Sequence, residues 1–328
     1  MAITDHPITA KAHTNIALVK YWGKLDEQLI IPQNDSLSIT LDEFYTQTAV
    51  QFDPNLAADE VVFDDQILST TDSHRVRTFL DQVRALAHID YRAKVTTQNF
   101  VPTAAGLASS ASGFAALAGA ASRAAGLNLN RRDLSRLARR GSGSATRSIF
   151  GGFVAWQQGH DDATSYAYPI DEQPTWDIAV VALVLTAKQK KISSRVGMKR
   201  AVETSPFYPA WVTASQADFK TMKTAIETQN FDLLGHTSEQ NAMRMHALTL
   251  SSDPTFTYFN ADSLKAMKMV TDLRLRGIPC YFTMDAGPNV KIICHGNDAK
   301  HIAQHFQTAF GQDHVLVTRP GAGISISD

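Results

Sequence analysis

Hydrophobic positions along this chain recur with two periods, and the two alternate. Ala10 to Val19 reads as a strand whose apolar part is Ile16, Leu18 and Val19. Leu37, Ile39 and Leu41 alternate with Ser38 and Thr40, which predicts a half-buried strand, with Thr46 to Phe52 as its partner. Val61 to Leu68 predicts a further short strand pair. Ser73 to His88 then changes to helical spacing at Val76, Phe79, Leu80 and Val83, and Tyr91 to Gln98 returns to alternation. A helix is predicted from Ser109, a strong capping residue, to Ala125, with Gly126 placed for a left-handed cap. Arg131 to Arg140 predicts a short basic helix with Leu134 and Leu137 on one face and its arginines in solvent. Ser148 to Trp156 leads into another strand, and the unbroken apolar run from Trp176 to Leu185 predicts a buried one.

The remainder reads α first, then β. Trp211, Ser215, Phe219, Met222 and Ile226 mark one helical stripe, Phe231 to Leu248 a second helix, and Leu264, Met267, Val270 and Leu273 a third, stopped by Gly277 and Pro279. Tyr281 to Met284 and Val290 to Cys294 predict two strands joined by the turn Asp285-Ala286-Gly287-Pro288-Asn289. Ala299 to Phe310 predicts a last helix and Val315 to Thr318 a last strand. The pattern divides the chain into residues 1–187 and 188–328.

Composition narrows the class. The 328 residues are 44% hydrophobic and 19% charged, as in an ordinary globular protein. Lys plus Arg number 31 against 32 Asp plus Glu, which argues against a nucleic-acid binder. Cys280 and Cys294 offer neither metal spacing nor a disulfide framework, which fits a reducing cytoplasm. No apolar run is long enough to span a membrane. His301 and His305 share a helix face without a third ligand and read as surface residues.

Candidate chemistry gathers in four places. Pro102 to Gly113 is a small-residue loop running into a helix start, where unpaired N–H groups favour phosphate. Gly141 to Arg147 alternates glycines with the hydroxyls of Ser142 and Ser144 before an arginine, a pattern able to cradle an anion. Lys20-Tyr21-Trp22-Gly23-Lys24 follows a strand and reads, by itself, as a surface turn with solvated lysines. Lys188 to Arg195 reads as a solvated linker or as a basic segment that closes over a polyanion. Asp285 reads as a turn residue capping its own backbone.

Pro-x-x-x-Gly-Leu-x-Ser-Ser-Ala-Ser at residues 102–112 resembles the phosphate loop of the GHMP kinase superfamily. Asn15 to Lys24, Asn34 to Ser38, the 141–147 turn, Ser193-Ser194-Arg195 with Gly197-Met198, and Met284 to Asn289 are together similar to the mevalonate diphosphate decarboxylases of that superfamily. The resemblance implies an α+β protein of the GHMP kinase fold. Its N-terminal half would resemble the ribosomal protein S5 domain 2 fold and its C-terminal half would be ferredoxin-like, with ligands in the cleft between them. It implies ATP and magnesium, mevalonate 5-diphosphate as substrate, and a cytoplasmic homodimer. The roles it implies are catalytic for Asp285, Lys190, Arg147 and Ser194, with Lys188 and Lys191 as alternatives to Lys190. Substrate binding falls to Tyr21, Lys24, Ser142, Gly143, Ser144, Arg195, Met198 and Ala286. ATP binding falls to Asn99, Ala105, Gly106, Leu107, Ser109, Ser110 and Ser112, with Ser109 also toward magnesium. The residues leave open a kinase that stops at 3-phosphorylation, a decarboxylase of the 5-monophosphate, and a nucleotide sensor without catalysis.

Overall fold

The computed structural model describes residues 3–100, 109–186 and 191–327. In chain order its elements are β1 (Ile8–Val19), β2 (Lys24–Asp26), β3 (Ile31–Pro32), β4 (Ser36–Asp53), β5 (Glu60–Phe63), β6 (Gln66–Ile67), α1 (His74–Ala87), β7 (Arg92–Phe100), α2 (Ser109–Ala124) and α3 (Arg131–Gly141). A 3-10 helix (Gly143–Ile149) leads to β8 (Phe153–Trp156), β9 (Ala167–Asp171) and β10 (Ile178–Leu183). Then come α4 (Ser194–Thr204), α5 (Tyr208–Glu227), α6 (Phe231–Leu250), α7 (Ala261–Leu275), β11 (Cys280–Met284), β12 (Val290–His295), α8 (Ala299–Phe310), β13 (Val315–Thr318) and β14 (Ser325–Ser327).

The first sheet runs β14-β1-β4-β7-β5-β6, with β8 and β9 attached beside β4. Helix α2 lies across β1 and β4, and its alanines, with Phe79, Leu80 and Val83 of α1, form the first core. Each such large apolar side chain contributes roughly 1.5–3 kcal/mol on burial. The predicted cap is present: Gly126 has φ 77°, and Leu127 N–H reaches back to the Ser122 carbonyl.

Two expectations change here. Leu37–Leu41 and Thr46–Phe52 are not partners but one 18-residue strand, β4, paired along its length with β1. No Gly, Pro or Asn separates them, and a bulge between the His13 and Asn15 pairings absorbs Asp42 to Phe44. The first part of β4 is buried on both faces, Ser36, Ser38 and Thr40 included, because the 3-10 segment covers the hydroxyl side. The arginines of α3 are not all solvated either: Arg139 is fully buried, bonding the carbonyls of Leu29 and Ser165 and the carboxylate of Asp162. In α7 the stripe is rotated slightly, so that Leu264 is exposed and Ala266 takes the buried place.

The second sheet is antiparallel in the order β11-β12-β10-β13. Its strand–helices–strand–strand–helix–strand sequence is the ferredoxin-like split βαβ arrangement. Ile178–Leu183 pairs with β12 and β13, so this strand belongs to the second sheet although the sequence pattern placed it before 187/188. The chain end returns to the first sheet as β14, an element too short and polar to be read from pattern. A shared core joins the halves: Ile16, Leu18, Leu37 and Ile39 of the first sheet meet Val180, Phe219, Met222 and Ile293 of the second half. The C-terminal end of β1 therefore lies against the β11–β12 hairpin.

Candidate active site

That junction brings three ionised side chains together. Lys20, the residue after β1, is 2% exposed; its Nζ donates to the Ala17 carbonyl at 2.6 Å and to Asp285 Oδ1 at 2.9 Å. Lys291, inside β12, lies 3.3 Å from Asp285 Oδ2 and is 4% exposed. Asp285 keeps 38% of its side chain open toward the cleft. Burial alone would raise its carboxyl, but the two ammoniums outweigh burial and hold it far below the ordinary carboxylate range. Burial pulls the Lys20 ammonium below its usual range, and the Asp285 carboxylate opposes that pull. The turn that sequence read as a self-capping loop thus delivers an ionised carboxylate. Lys20, read as solvated, is one of the two groups that keep it ionised. Asn241 of α6 fixes the backbone here by accepting from Lys20 N–H at 2.8 Å.

Arg147 is buried within the 3-10 segment. It donates to Ser36 Oγ at 2.6 Å and to Asn15 Oδ1 at 3.3 Å, while its Nε has no partner among the described residues. Burial pulls its pKa down to about 10 although the Asp285 charge opposes this. A guanidinium buried on neutral partners with a donor to spare is placed to receive an anion. Beside it, Ser142 Oγ lies 3.3 Å from Ser144 Oγ and 3.4 Å from Ser110 Oγ, so hydroxyls from both predicted anion loops meet. The Tyr21 ring packs on Trp156 with centroids 4.7 Å apart, and its buried hydroxyl has no partner among the described residues. Gly143 makes that packing possible, since a Cβ there would fall 2.7 Å from Tyr21 Cε1 and 3.0 Å from Trp156 Cη2. Gly143→Ala is expected to push the Tyr21 ring aside and cost about 1–3 kcal/mol of stability. Chemical denaturation measures the loss, and an unchanged midpoint would deny the contact.

His246 of α6 stands behind the carboxylate, fully buried, with neither ring nitrogen partnered among the described residues. Burial, reinforced by the Lys20 charge, lowers its pKa from 6.5 to about 3. The folded protein therefore keeps it neutral where the unfolded chain takes a proton. Stability is expected to fall by up to about 1.4 kcal/mol per pH unit as pH drops from 6.5 toward 3. His246→Phe should flatten that slope in denaturant midpoints followed against pH, and an equal slope in both proteins would contradict it.

The other expected residues are placed as follows. Lys24 pairs with Glu27 and is 6% exposed. Ser194 opens α4, whose N-cap is Ser193, and Arg195 follows it in solvent, its charge reaching the Tyr21 phenol. Met198 and Ala286 share an apolar cluster with Trp22 and Tyr208. Ser112 is buried against Thr46 and Thr14 hydroxyls, and Asn99 accepts from Thr46. Ala105, Gly106, Leu107, Lys188 and Lys190 lie outside the described residues, as does the side chain of Ser109. Lys191 is exposed. His301 is exposed and His305 half-buried on α8, and among the described residues no three His, Cys, Asp or Glu are grouped to hold a metal.

Sequence reasoning missed Lys291 and misread Lys20. A signal existed for each, since both interrupt apolar strand ends where a solvated lysine has no room. Asn15 and Ser36, which hold Arg147, lie within quoted motifs but carried no role.

Residues 12–167 match the diphosphomevalonate decarboxylase-like N-terminal domain, and residues 180–320 match the mevalonate 5-diphosphate decarboxylase C-terminal domain. A diphosphomevalonate decarboxylase of Ganoderma lucidum is 35% identical over 328 residues, covering 93% of this chain and 82% of that protein. A mevalonate diphosphate decarboxylase structure from Enterococcus faecalis, described for mevalonate diphosphate mediated ATP binding, is 47% identical with a TM-score of 0.93, covering 98% of this chain and 99% of that one. A structure of MDDEF in complex with MVAPP, AMPPCP and magnesium is likewise 47% identical, with a TM-score of 0.94 and coverage of 98% and 99%. The α+β architecture is thus the GHMP kinase fold of these enzymes. With both halves matched and the likeness running through nearly the whole chain, this protein belongs to the diphosphomevalonate decarboxylase family.

Proposed function

We propose that the protein converts mevalonate 5-diphosphate and ATP to isopentenyl diphosphate, ADP, phosphate and carbon dioxide. The observation that carries this reading is the Asp285 carboxylate, clamped between Lys20 and Lys291 and within electrostatic reach of buried Arg147. Loss of carbon dioxide leaves an electron pair that needs an acceptor. A tertiary hydroxide leaves poorly and a phosphate leaves well, so C3 is phosphorylated first. The C3 hydroxyl oxygen attacks the γ-phosphorus, the bond to ADP breaks, and the hydroxyl proton passes to Asp285. Departure of the 3-phosphate then builds positive charge at C3, and the carboxylate's C–C bond supplies the electrons of the new double bond.

In this scheme Arg147 grips the substrate carboxylate, with Ser194 beside it. Tyr21, Lys24, Ser142, Gly143, Ser144 and Arg195 hold the 5-diphosphate, and Met198 and Ala286 form its apolar wall. Lys24 would exchange its exposed partner Glu27 for a phosphate. Lys190 would stabilise the phosphoryl group in transfer. Asn99, Ser110 and Ser112, with the loop 105–109, serve the ATP phosphates. The donor set, hydroxyls rather than clustered carboxylates, fits magnesium carried on those phosphates, where it offsets charge during transfer. The bound ligands of the related complex agree with ATP and magnesium as partners here. We carry over from the family resemblance a cytoplasmic homodimer, which light scattering of the purified protein tests.

The deciding experiment couples ADP formation to detection while carbon dioxide is trapped, with mevalonate, its 5-phosphate and its 5-diphosphate as substrates. Equal yields of ADP and carbon dioxide are expected with the diphosphate, at the highest kcat/KM of the three. ADP without carbon dioxide would make it a kinase, and no ADP at all would end the reading.

A further inference from the structure

We propose that Lys291 is a positioning residue for the reaction: with Lys20 it divides the two oxygens of Asp285 and fixes the carboxylate's orientation and charge toward the C3 hydroxyl. This rests on Asp285 being the group that receives the hydroxyl proton. Three observations carry it. Lys20 takes Oδ1 at 2.9 Å from just beyond β1, and Lys291 takes Oδ2 at 3.3 Å from β12 of the other sheet, so the carboxylate cannot rotate without losing one of them. Lys291 stands between Val290 and Ile292, all three buried, where an apolar side chain would pack at no electrostatic cost. Its only other bonded partner among the described residues is the Asn289 carbonyl at 3.5 Å, so Asp285 is the group that compensates its charge.

The groups facing Asp285 are Lys20 at the end of β1, Lys291 in β12, Arg147 in the 3-10 segment and neutral His246 in α6. None of them is an acid, so the carboxylate stays ionised over the whole working range. Its basicity is low, and it accepts the proton only as the oxygen–phosphorus bond forms and the alcohol becomes acidic. Lys291 thereby sets when the proton moves, without touching substrate.

The test compares Lys291→Met and Lys291→Arg with the wild-type enzyme, each first shown to be folded by circular dichroism. In Lys291→Met the acid limb of kcat is expected to move up by about 1–3 pH units, with kcat falling more than KM changes. Lys291→Arg should return the limb toward its wild-type position. A lowered kcat with an unmoved limb would reduce Lys291 to a structural role and overturn the proposal, as would a Lys291→Met enzyme with wild-type kcat. If Lys291→Met does not fold, the wild-type protein still decides. The 13C carboxyl resonance of Asp285, assigned by its absence from Asp285→Asn, is expected to show no titration above about pH 4. A midpoint above that value overturns the proposal. A wild-type protein that consumes no ATP would sink the proposed activity instead, and leave this resonance to judge the pairing.

Discussion

Asp285→Asn is expected to fold and bind ATP while losing about 10²–10⁴-fold in kcat, the range that a positioned proton acceptor contributes. The amide keeps the shape of the carboxylate but cannot take the C3 hydroxyl proton. It also leaves Lys20 and Lys291 as two nearly buried ammoniums without a counter-charge. Removing one partner of a buried pair costs about 3–5 kcal/mol, reduced here because the 38% exposed Asp285 is partly solvated. The pH dependence gives this loss a signature. A carboxyl whose folded pKa is depressed stabilises the protein fully above its unfolded value of 3.8 and loses that effect as pH falls toward its folded value. The stability gap between wild type and Asp285→Asn should therefore be widest near neutrality and close below pH 3.8. Steady-state kinetics and denaturation at several pH values measure both parts. Near-normal turnover at saturating substrate would remove Asp285 from the chemistry.

Arg147→Met should separate function from stability. The guanidinium is 2% exposed and bonds only neutral groups, Ser36 and Asn15, so holding its charge there costs free energy in the absence of ligand. Replacement by an apolar side chain of similar length is expected to leave the melting temperature unchanged or raised. The same change should lower kcat/KM by about 30- to 4000-fold, the 2–5 kcal/mol that loss of a buried charged partner costs. Thermal melts beside kinetics on the diphosphate test this directly. A destabilised but fully active variant would mean that Arg147 serves the fold rather than the substrate.

Most of the strands and helices were legible because each needs only local information. The stripe of α5, the capping glycine after α2 and the β11–β12 hairpin follow from periodicity and turn chemistry. The failures share one cause. β4 was divided in two because its alternation stumbles at a bulge, and a bulge is defined by the partner strand. Arg139 was put in solvent because its own helix is basic, whereas Leu29 and Asp162, distant in sequence, bury it. β10 was given to the first half because nothing in an apolar run says which sheet will receive it.

The site divides the same way. The amino-acid sequence by itself determined which chemical groups exist and in what local shape: hydroxyls alternating with glycines before Arg147, and an aspartate held in a rigid turn. Tertiary structure alone decided that Lys20 meets Asp285 across 265 residues and that Arg147 reaches Ser36 across 111. The physical reason is that charge and basicity depend on burial and on the nearest opposite charge. Both are properties of the packed interface between the two sheets, and no local window of the chain contains them.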